Sequence, residues 1–171
     1  GENVLKVRER IARAALRAGR KPEDVTLLAV TKFHPAEAVV AAYESGIRSF
    51  GENRVQEAMQ KYGQELRASL KGAQLAMIGT LQNNKAKKAA LFFDSVQSVD
   101  SSELLLLLAR KSIERPTPLR VLLELHTGEA TKSGFPDMDS LCKAIDAFLE
   151  GQSRGEIEHR ERGDAALRQG A

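Results

Sequence analysis

The sequence predicts an α/β protein of the (β/α)8 TIM-barrel type, with the last barrel units missing from this chain or not represented in it. Five short apolar segments are each followed by a segment with apolar residues at helical spacing, an order typical of βα units in a parallel sheet. No glycine-rich dinucleotide fingerprint follows the first strand, which favours a barrel over an open sheet. Residues 151–171 are rich in charge and contain no strand pattern.

The first unit follows a leading helix. That helix is predicted over Val4–Ala18, where apolar residues recur at helical spacing. The first strand is predicted over Val25–Thr31, a nearly continuous apolar run that is typical of a strand covered on both faces. Pro35 fits the first turn of the next helix, which ends near Glu44.

The second and third units repeat this order. Ile47–Phe50 is predicted as a short strand, and Asn53 with Gln56 resembles a capping box at the start of the helix that follows. Gln74–Ile78 is predicted as the third strand. A polar turn and a helix near Lys85–Leu91 complete this unit.

The fourth and fifth units complete the pattern. Ser95–Ser98 is predicted as a strand, and Asp100 is predicted to cap a leucine-rich helix that runs to about Ile113. Leu119–Leu125 is predicted as the fifth strand, followed by a helix over about Met138–Leu149. Residues 1–150 are therefore predicted to form one barrel domain, and residues 151–171 a polar tail or a remnant of the C-terminal barrel units.

Composition limits the class of protein. The chain is 42% hydrophobic and 29% charged with a net charge of +3, which is ordinary for a globular protein. The single cysteine, Cys142, excludes an internal disulfide and suits a reducing, cytoplasmic compartment; its helical pattern predicts a small core residue. Neither a nucleic-acid partner nor a membrane is predicted, because aromatic residues are only 5% and no apolar run could span a bilayer.

Lys32 is the most informative polar residue, because working residues in βα barrels lie where strands end. Lys32 alternates with Leu28 and Val30, so we expect it to share their face of the strand. If that face is the barrel interior, partial desolvation disfavours the ammonium form and yields an amine that can form an imine with an aldehyde. From position alone, a side chain that extends into solvent is the more common outcome.

The other strand ends offer weaker candidates. Asn53 is a candidate ligand contact as well as a helix cap, and the two roles are compatible. Gln82–Lys85 is either a polar wall or a loop in which Asn84 caps a helix, and His126 is either a ligand or base, or a hydrogen-bonded structural residue. No metal-binding spacing, nucleophile elbow or P-loop occurs, so neither a metal site nor a catalytic residue is predicted.

Five segments that include these residues resemble the pyridoxal-phosphate homeostasis protein family, which is related to the N-terminal barrel of alanine racemase. They occur in the family's order between about residue 4 and about residue 149, which makes the resemblance specific. They are Leu27–Pro35 (LLAVTKFHP), Phe50–Glu57 (FGENRVQE), Ile78–Lys85 (IGTLQNNK), Ser98–Ser101 (SVDS) and Lys132–Gly134 (KSG).

The resemblance implies that Lys32 matches the lysine that carries pyridoxal 5'-phosphate as a Schiff base, and that Asn53 matches a residue lining the cofactor pocket. Members of the family are typically monomeric (β/α)8 barrels with little or no demonstrated turnover, thought to buffer or deliver the cofactor. The implied partner is thus a small-molecule cofactor. A racemase-like enzyme is the alternative, although the second β domain of alanine racemase is not visible in this sequence.

Three departures from the family pattern concern the pocket. Ala76 stands where the family often has histidine, and His126 stands where many members have asparagine. The phosphate-binding and pyridine-contacting segments of the family lie in the last three barrel units, and their motifs do not occur in residues 151–171. The resemblance therefore implies the lysine and one wall of the pocket, but not the phosphate cradle.

Overall fold

The computed structural model describes residues 1–128, 133–155 and 157. Five strands form one sheet in chain order, and each pairs in parallel with the next. This arrangement agrees with the predicted succession of βα units, because parallel neighbours require a crossover connection. The strands are β1 Leu28–Val30, β2 Ser49–Glu52, β3 Gln74–Met77, β4 Ser95–Val99 and β5 Arg120–Leu123.

Helices precede β1 and connect the strands. A helix that the sequence analysis did not predict, Gln64–Ser69, follows the helix Val55–Tyr62 after a kink at Gly63, whose φ is 47°. The final helix passes its predicted end at Leu149. The helices are α1 Glu2–Arg17, α2 Ala36–Glu44, α3 Val55–Tyr62, α4 Gln64–Ser69, α5 Ala86–Phe92, α6 Ser102–Ser112 and α7 Met138–Ser153, with short 3-10 turns at Pro22–Asp24 and Asn83–Lys85.

The hydrophobic core lies on one face of the sheet, between the strands and the helices. Phe50, Leu75 and Val96 are at most 1% exposed and pack in this core. On the opposite face Val30 is 46% exposed and Leu122 is 57% exposed. The prediction that the first strand is covered on both faces is therefore wrong for the described residues, because none of them covers the face that carries Val30.

Two predicted helix caps are also wrong. Ser101, rather than Asp100, caps α6, and its side chain accepts a hydrogen bond from the Leu104 amide at 3.3 Å. Arg54, rather than Asn53, is the N-cap residue of α3, and no side-chain hydrogen bond caps that helix. In both cases the helix begins one residue later than the sequence pattern indicated.

The prediction that Cys142 is a small core residue is also wrong, because Cys142 is exposed on α7.

Candidate functional site

A cavity of about 710 Å³ opens at the C-terminal ends of β2 and β3. It is bounded by the start of α3 and by the loop that follows β3. Lys32 and Asn53, the two residues singled out from the sequence, both line it, together with Gly79, Gln82 and Lys85. The cavity thus lies where βα barrels carry their functional groups.

Lys32 lies just beyond the end of β1, at the edge of the sheet. It belongs to a turn closed by a hydrogen bond of 3.1 Å from the His34 amide to the Thr31 carbonyl oxygen. Its Nζ lies 5.9 Å from the centroid of the Phe33 ring, and both side chains are exposed. Of the two outcomes considered for this position, the described structure therefore shows the side chain that extends into solvent and not a partly desolvated one.

Asn53 packs against Gly79 at the base of the cavity. A Cβ atom at residue 79 would lie 2.8 Å from the Asn53 Cα atom and would also meet the Asn53 carbonyl oxygen, so only glycine allows this approach. The Asn53 Oδ1 atom is buried and has no hydrogen-bond partner in the described structure. A buried acceptor without a partner is costly, which makes Asn53 a site for a donor from a ligand or water.

The rim of this cavity carries more positive than negative groups. Arg54 and Glu57 form an ion pair of 2.7 Å, and Lys32 and Lys85 add two ammonium groups. Positive potential at the mouth of a cavity attracts anionic ligands. An amine, an unpartnered acceptor and a cationic rim are together compatible with a phosphorylated aldehyde such as the cofactor that the family resemblance implies.

A buried polar network lies directly behind the two strand ends. The Glu52 side chain is 0% exposed, and its Oε1 accepts hydrogen bonds from Thr31 Oγ1 at 2.7 Å and from Lys61 Nζ at 2.8 Å. Lys61 Nζ also donates to the Thr31 carbonyl oxygen at 2.6 Å. The Tyr62 hydroxyl lies 2.9 Å from Thr31 Oγ1, and burial raises the pKa of Tyr62 to about 12.

Sequence reasoning missed this network. A glutamate at the end of a buried strand was a usable signal, because a carboxylate is rarely buried without a partner. Thr31 and Glu52 are adjacent in sequence to Lys32 and Asn53, yet no local pattern links them to Lys61 and Tyr62 on α3. Only the packing of α3 on the sheet brings these four residues together.

The remaining candidates lie elsewhere. His126 Nδ1 accepts a hydrogen bond of 3.0 Å from the Gly128 amide, which favours the structural role considered for this residue. Ala76 is buried in β3 beside Gly51. Asn84 lies in the short turn before α5 without capping it. Lys132, part of the KSG segment, lies outside the described residues.

The described part of the chain offers neither a cluster of metal ligands nor a membrane-spanning helix. It contains no group of three or more histidine, cysteine or acidic side chains that could hold a metal ion. None of the helices described is both long and apolar enough to cross a bilayer.

Comparisons with known protein sequences agree with the family resemblance. The family model described as alanine racemase, N-terminal domain, matches residues 3–165. The chain is 38% identical over 159 residues to the pyridoxal phosphate homeostasis protein of Escherichia coli strain K12, and 41% identical over 160 residues to that of Pseudomonas aeruginosa. Each alignment covers 90% of this chain and 67% of the relative, so the chain spans about two thirds of their length.

Solved structures of similar fold agree with the sequence comparisons. PipY of Synechococcus elongatus PCC7942 with PLP bound has a TM-score of 0.65 and 38% identity, over 81% of this chain and 63% of PipY. A crystal structure described as an unknown protein from Bifidobacterium adolescentis has a TM-score of 0.75 and 33% identity, over 92% of this chain and 64% of that one. Alanine racemase from E. faecalis, at 24% identity and a TM-score of 0.58 over 84% of this chain and 38% of the racemase, shares the fold.

Proposed function

Because this chain belongs to the alanine racemase N-terminal domain family, we propose that it binds pyridoxal 5'-phosphate as a Schiff base on Lys32 and takes part in intracellular homeostasis of that cofactor. One observation carries the proposal. Lys32 and Asn53 come from two different strand ends and line one cavity, where the Asn53 Oδ1 atom is buried without a partner. The names of the curated relatives, and the PLP bound to PipY, support it.

Four residues of the cavity have a defined part in this proposal. Pyridoxal phosphate supplies an aldehyde, which condenses with a primary amine with loss of water. Lys32 provides the amine, Asn53 offers an acceptor to a polar group of the ligand, and the cationic groups of Arg54 and Lys85 attract its phosphate. The exposed position of Lys32 allows the ligand to enter and leave, as a buffering or delivery role requires.

The linkage to Lys32 can be tested by borohydride reduction of the protein mixed with pyridoxal phosphate. Hydride adds to the carbon–nitrogen double bond and fixes the ligand as a secondary amine. We expect the intact mass to rise by that of the ligand less one oxygen atom, with the label on Lys32 in a peptide map. Lys32→Ala should abolish the label, whereas Lys85→Ala should retain it on Lys32. A label on any other lysine of the wild-type chain would overturn the assignment.

The same proposal includes a non-catalytic, monomeric and cytoplasmic protein. Racemisation requires a proton-transfer group on each face of the reacting carbon. The names of the relatives describe homeostasis rather than turnover. We therefore expect the loaded protein to leave the α-proton of L-alanine unexchanged in deuterium oxide. Exchange accompanied by racemic alanine would instead support the racemase-like alternative.

A further inference from the structure

The buried ion pair between Glu52 and Lys61 joins the two strand ends that carry the cavity residues. Thr31 immediately precedes Lys32, and Glu52 immediately precedes Asn53. Lys61 Nζ contacts both ends at once, with 2.6 Å to the Thr31 carbonyl oxygen and 2.8 Å to Glu52 Oε1. This single ammonium group therefore connects the end of β1 with the end of β2.

The contact with Thr31 bears directly on the turn that holds Lys32. The last backbone hydrogen bond between β1 and β2 is donated by the Thr31 amide to the Gly51 carbonyl oxygen, at 3.0 Å. Beyond it, the Thr31 carbonyl oxygen accepts from the His34 amide, which closes the turn, and from Lys61 Nζ. Lys61 thus contacts the turn directly after the last hydrogen bond of the sheet.

Stability alone does not account for this ion pair. The Glu52 side chain is 0% exposed and that of Lys61 is 13% exposed, so both charges lose most of their hydration. Glu52 Oε2 has no hydrogen-bond partner among the described residues. Apolar residues of similar size would often give a protein as stable as one with such a pair. What the pair adds is a specific connection between the two strand ends, through Lys61 Nζ.

We propose that Lys61, held by Glu52, is a positioning residue that sets the turn of Lys32 against the cavity. This inference rests on the proposed function, since it concerns the amine that would hold pyridoxal phosphate. Lys61 does not line the cavity, so it acts through Thr31 and not by touching the ligand. Displacing a reacting group by about 1 Å is enough to cost a large factor in its reactivity.

The test replaces the ion pair by neutral groups of similar shape in the double variant Glu52→Gln/Lys61→Met. Lys87 and Glu114, an exposed pair 3.6 Å apart, provide the matched control, Lys87→Met/Glu114→Gln. The first readout needs no ligand. We expect the His34 amide to exchange its hydrogen about tenfold faster in the double variant than in the control or the wild type. Equal exchange in all three proteins would overturn the inference.

The second readout compares two ligands. Pyridoxine 5'-phosphate has an alcohol in place of the aldehyde and cannot condense with Lys32. We expect the double variant to raise the dissociation constant for pyridoxal 5'-phosphate about tenfold and that for pyridoxine 5'-phosphate less than about twofold, as measured by equilibrium dialysis. Equal weakening of both ligands would mean a merely structural role and would overturn the inference.

These outcomes separate the inference from the proposed function. If the wild type acquires no label on Lys32 while the His34 amide still responds to the double variant, the proposed function falls and the positioning of the turn stands. If the wild type is labelled but the double variant behaves as the control does, only the positioning role falls. Should the double variant lack a folded circular dichroism spectrum, Glu52→Gln alone takes its place with the same expected difference between the two ligands.

Discussion

At the scale of single residues, the site depends on a few side chains with strict surroundings. Glycine at position 79 lets the backbone of Asn53 approach, and the Asn53 side chain is left with a buried acceptor that no described residue satisfies. Behind it lies a network of side chains joined by hydrogen bonds, in which only Glu52 Oε2 has no partner among the described residues. Its members are Glu52, Thr31, Lys61 and Tyr62. The exposed amine of Lys32 therefore directly follows a residue of a buried hydrogen-bonded network.

Tyr62 gives this network a signature at alkaline pH. Burial raises its pKa to about 12, above the ordinary value of about 10. The folded protein therefore holds the phenolic proton more tightly than the unfolded chain does. This contribution to the free energy of unfolding is fully present below about pH 10 and is lost as the pH rises towards about 12, by roughly 2 kcal/mol.

Urea unfolding between about pH 9 and pH 11.5 measures this fall. Tyr62→Phe should lower the free energy of unfolding at neutral pH, because Thr31 loses a hydrogen-bond partner. The free energy of unfolding of this variant should then fall less steeply than that of the wild type as the pH rises. The wild type measured over the same pH range provides the reference slope. A Tyr62→Phe slope as steep as that of the wild type would show that the phenol contributes nothing in this range.

At the scale of elements, the beginnings of α3 and α6 are one place where sequence and structure disagree. Asp100 and Ser101 are both good N-cap residues, and the acidic Glu103 made Asp100 the apparent choice. In the structure Ser101 has an extended backbone and its hydroxyl accepts from the Leu104 amide, so α6 starts at Ser102. When two adjacent residues favour the N-cap position equally, the backbone conformation decides which of them caps the helix, and residue type alone does not give that conformation.

The two candidate caps of α6 can be compared by substitution. We expect Ser101→Ala to lower the free energy of unfolding by about 1 kcal/mol, because the Leu104 amide loses its acceptor. Asp100→Ala should change it by less than about 0.5 kcal/mol. Chemical denaturation of the two variants and the wild type measures both values. A larger cost for Asp100→Ala would mean that the helix begins where the sequence pattern first indicated.

At the scale of the whole molecule, the described structure has a core on one face of the sheet. The face that packs on the helices contains fully buried residues such as Val96, whereas Val30 on the other face is 46% exposed. Valine at these two positions therefore has opposite surroundings. The sheet also ends at β1 and β5, which are both edge strands among the described residues.

This asymmetry predicts that replacing valine by alanine lowers the free energy of unfolding by different amounts on the two faces. Val96→Ala should lower the free energy of unfolding by about 2 kcal/mol, since it leaves a cavity in the core. Val30→Ala should cost about 0.5 kcal/mol or less. Urea unfolding of the two variants provides the comparison. Equal costs would mean that the face carrying Val30 is covered in solution, and sedimentation velocity would then show whether a second copy covers it, contrary to the proposed monomer.

The sequence by itself determined the order and type of the five βα units, the end of the sheet at which polar residues collect, and Lys32 and Asn53 as the residues to consider. Those features follow from local periodicity and from motifs, which are properties of neighbouring residues. Only the tertiary structure decided which face of the sheet is covered, which residue caps each helix, and that Lys61 and Tyr62 of α3 hold the ends of β1 and β2. The covered face and the contacts of α3 involve segments far apart in the chain, and the packing that forms them leaves no pattern in any one segment. The Ser101 cap is instead a local contact with Leu104, and it depends on a backbone geometry that residue type alone does not specify.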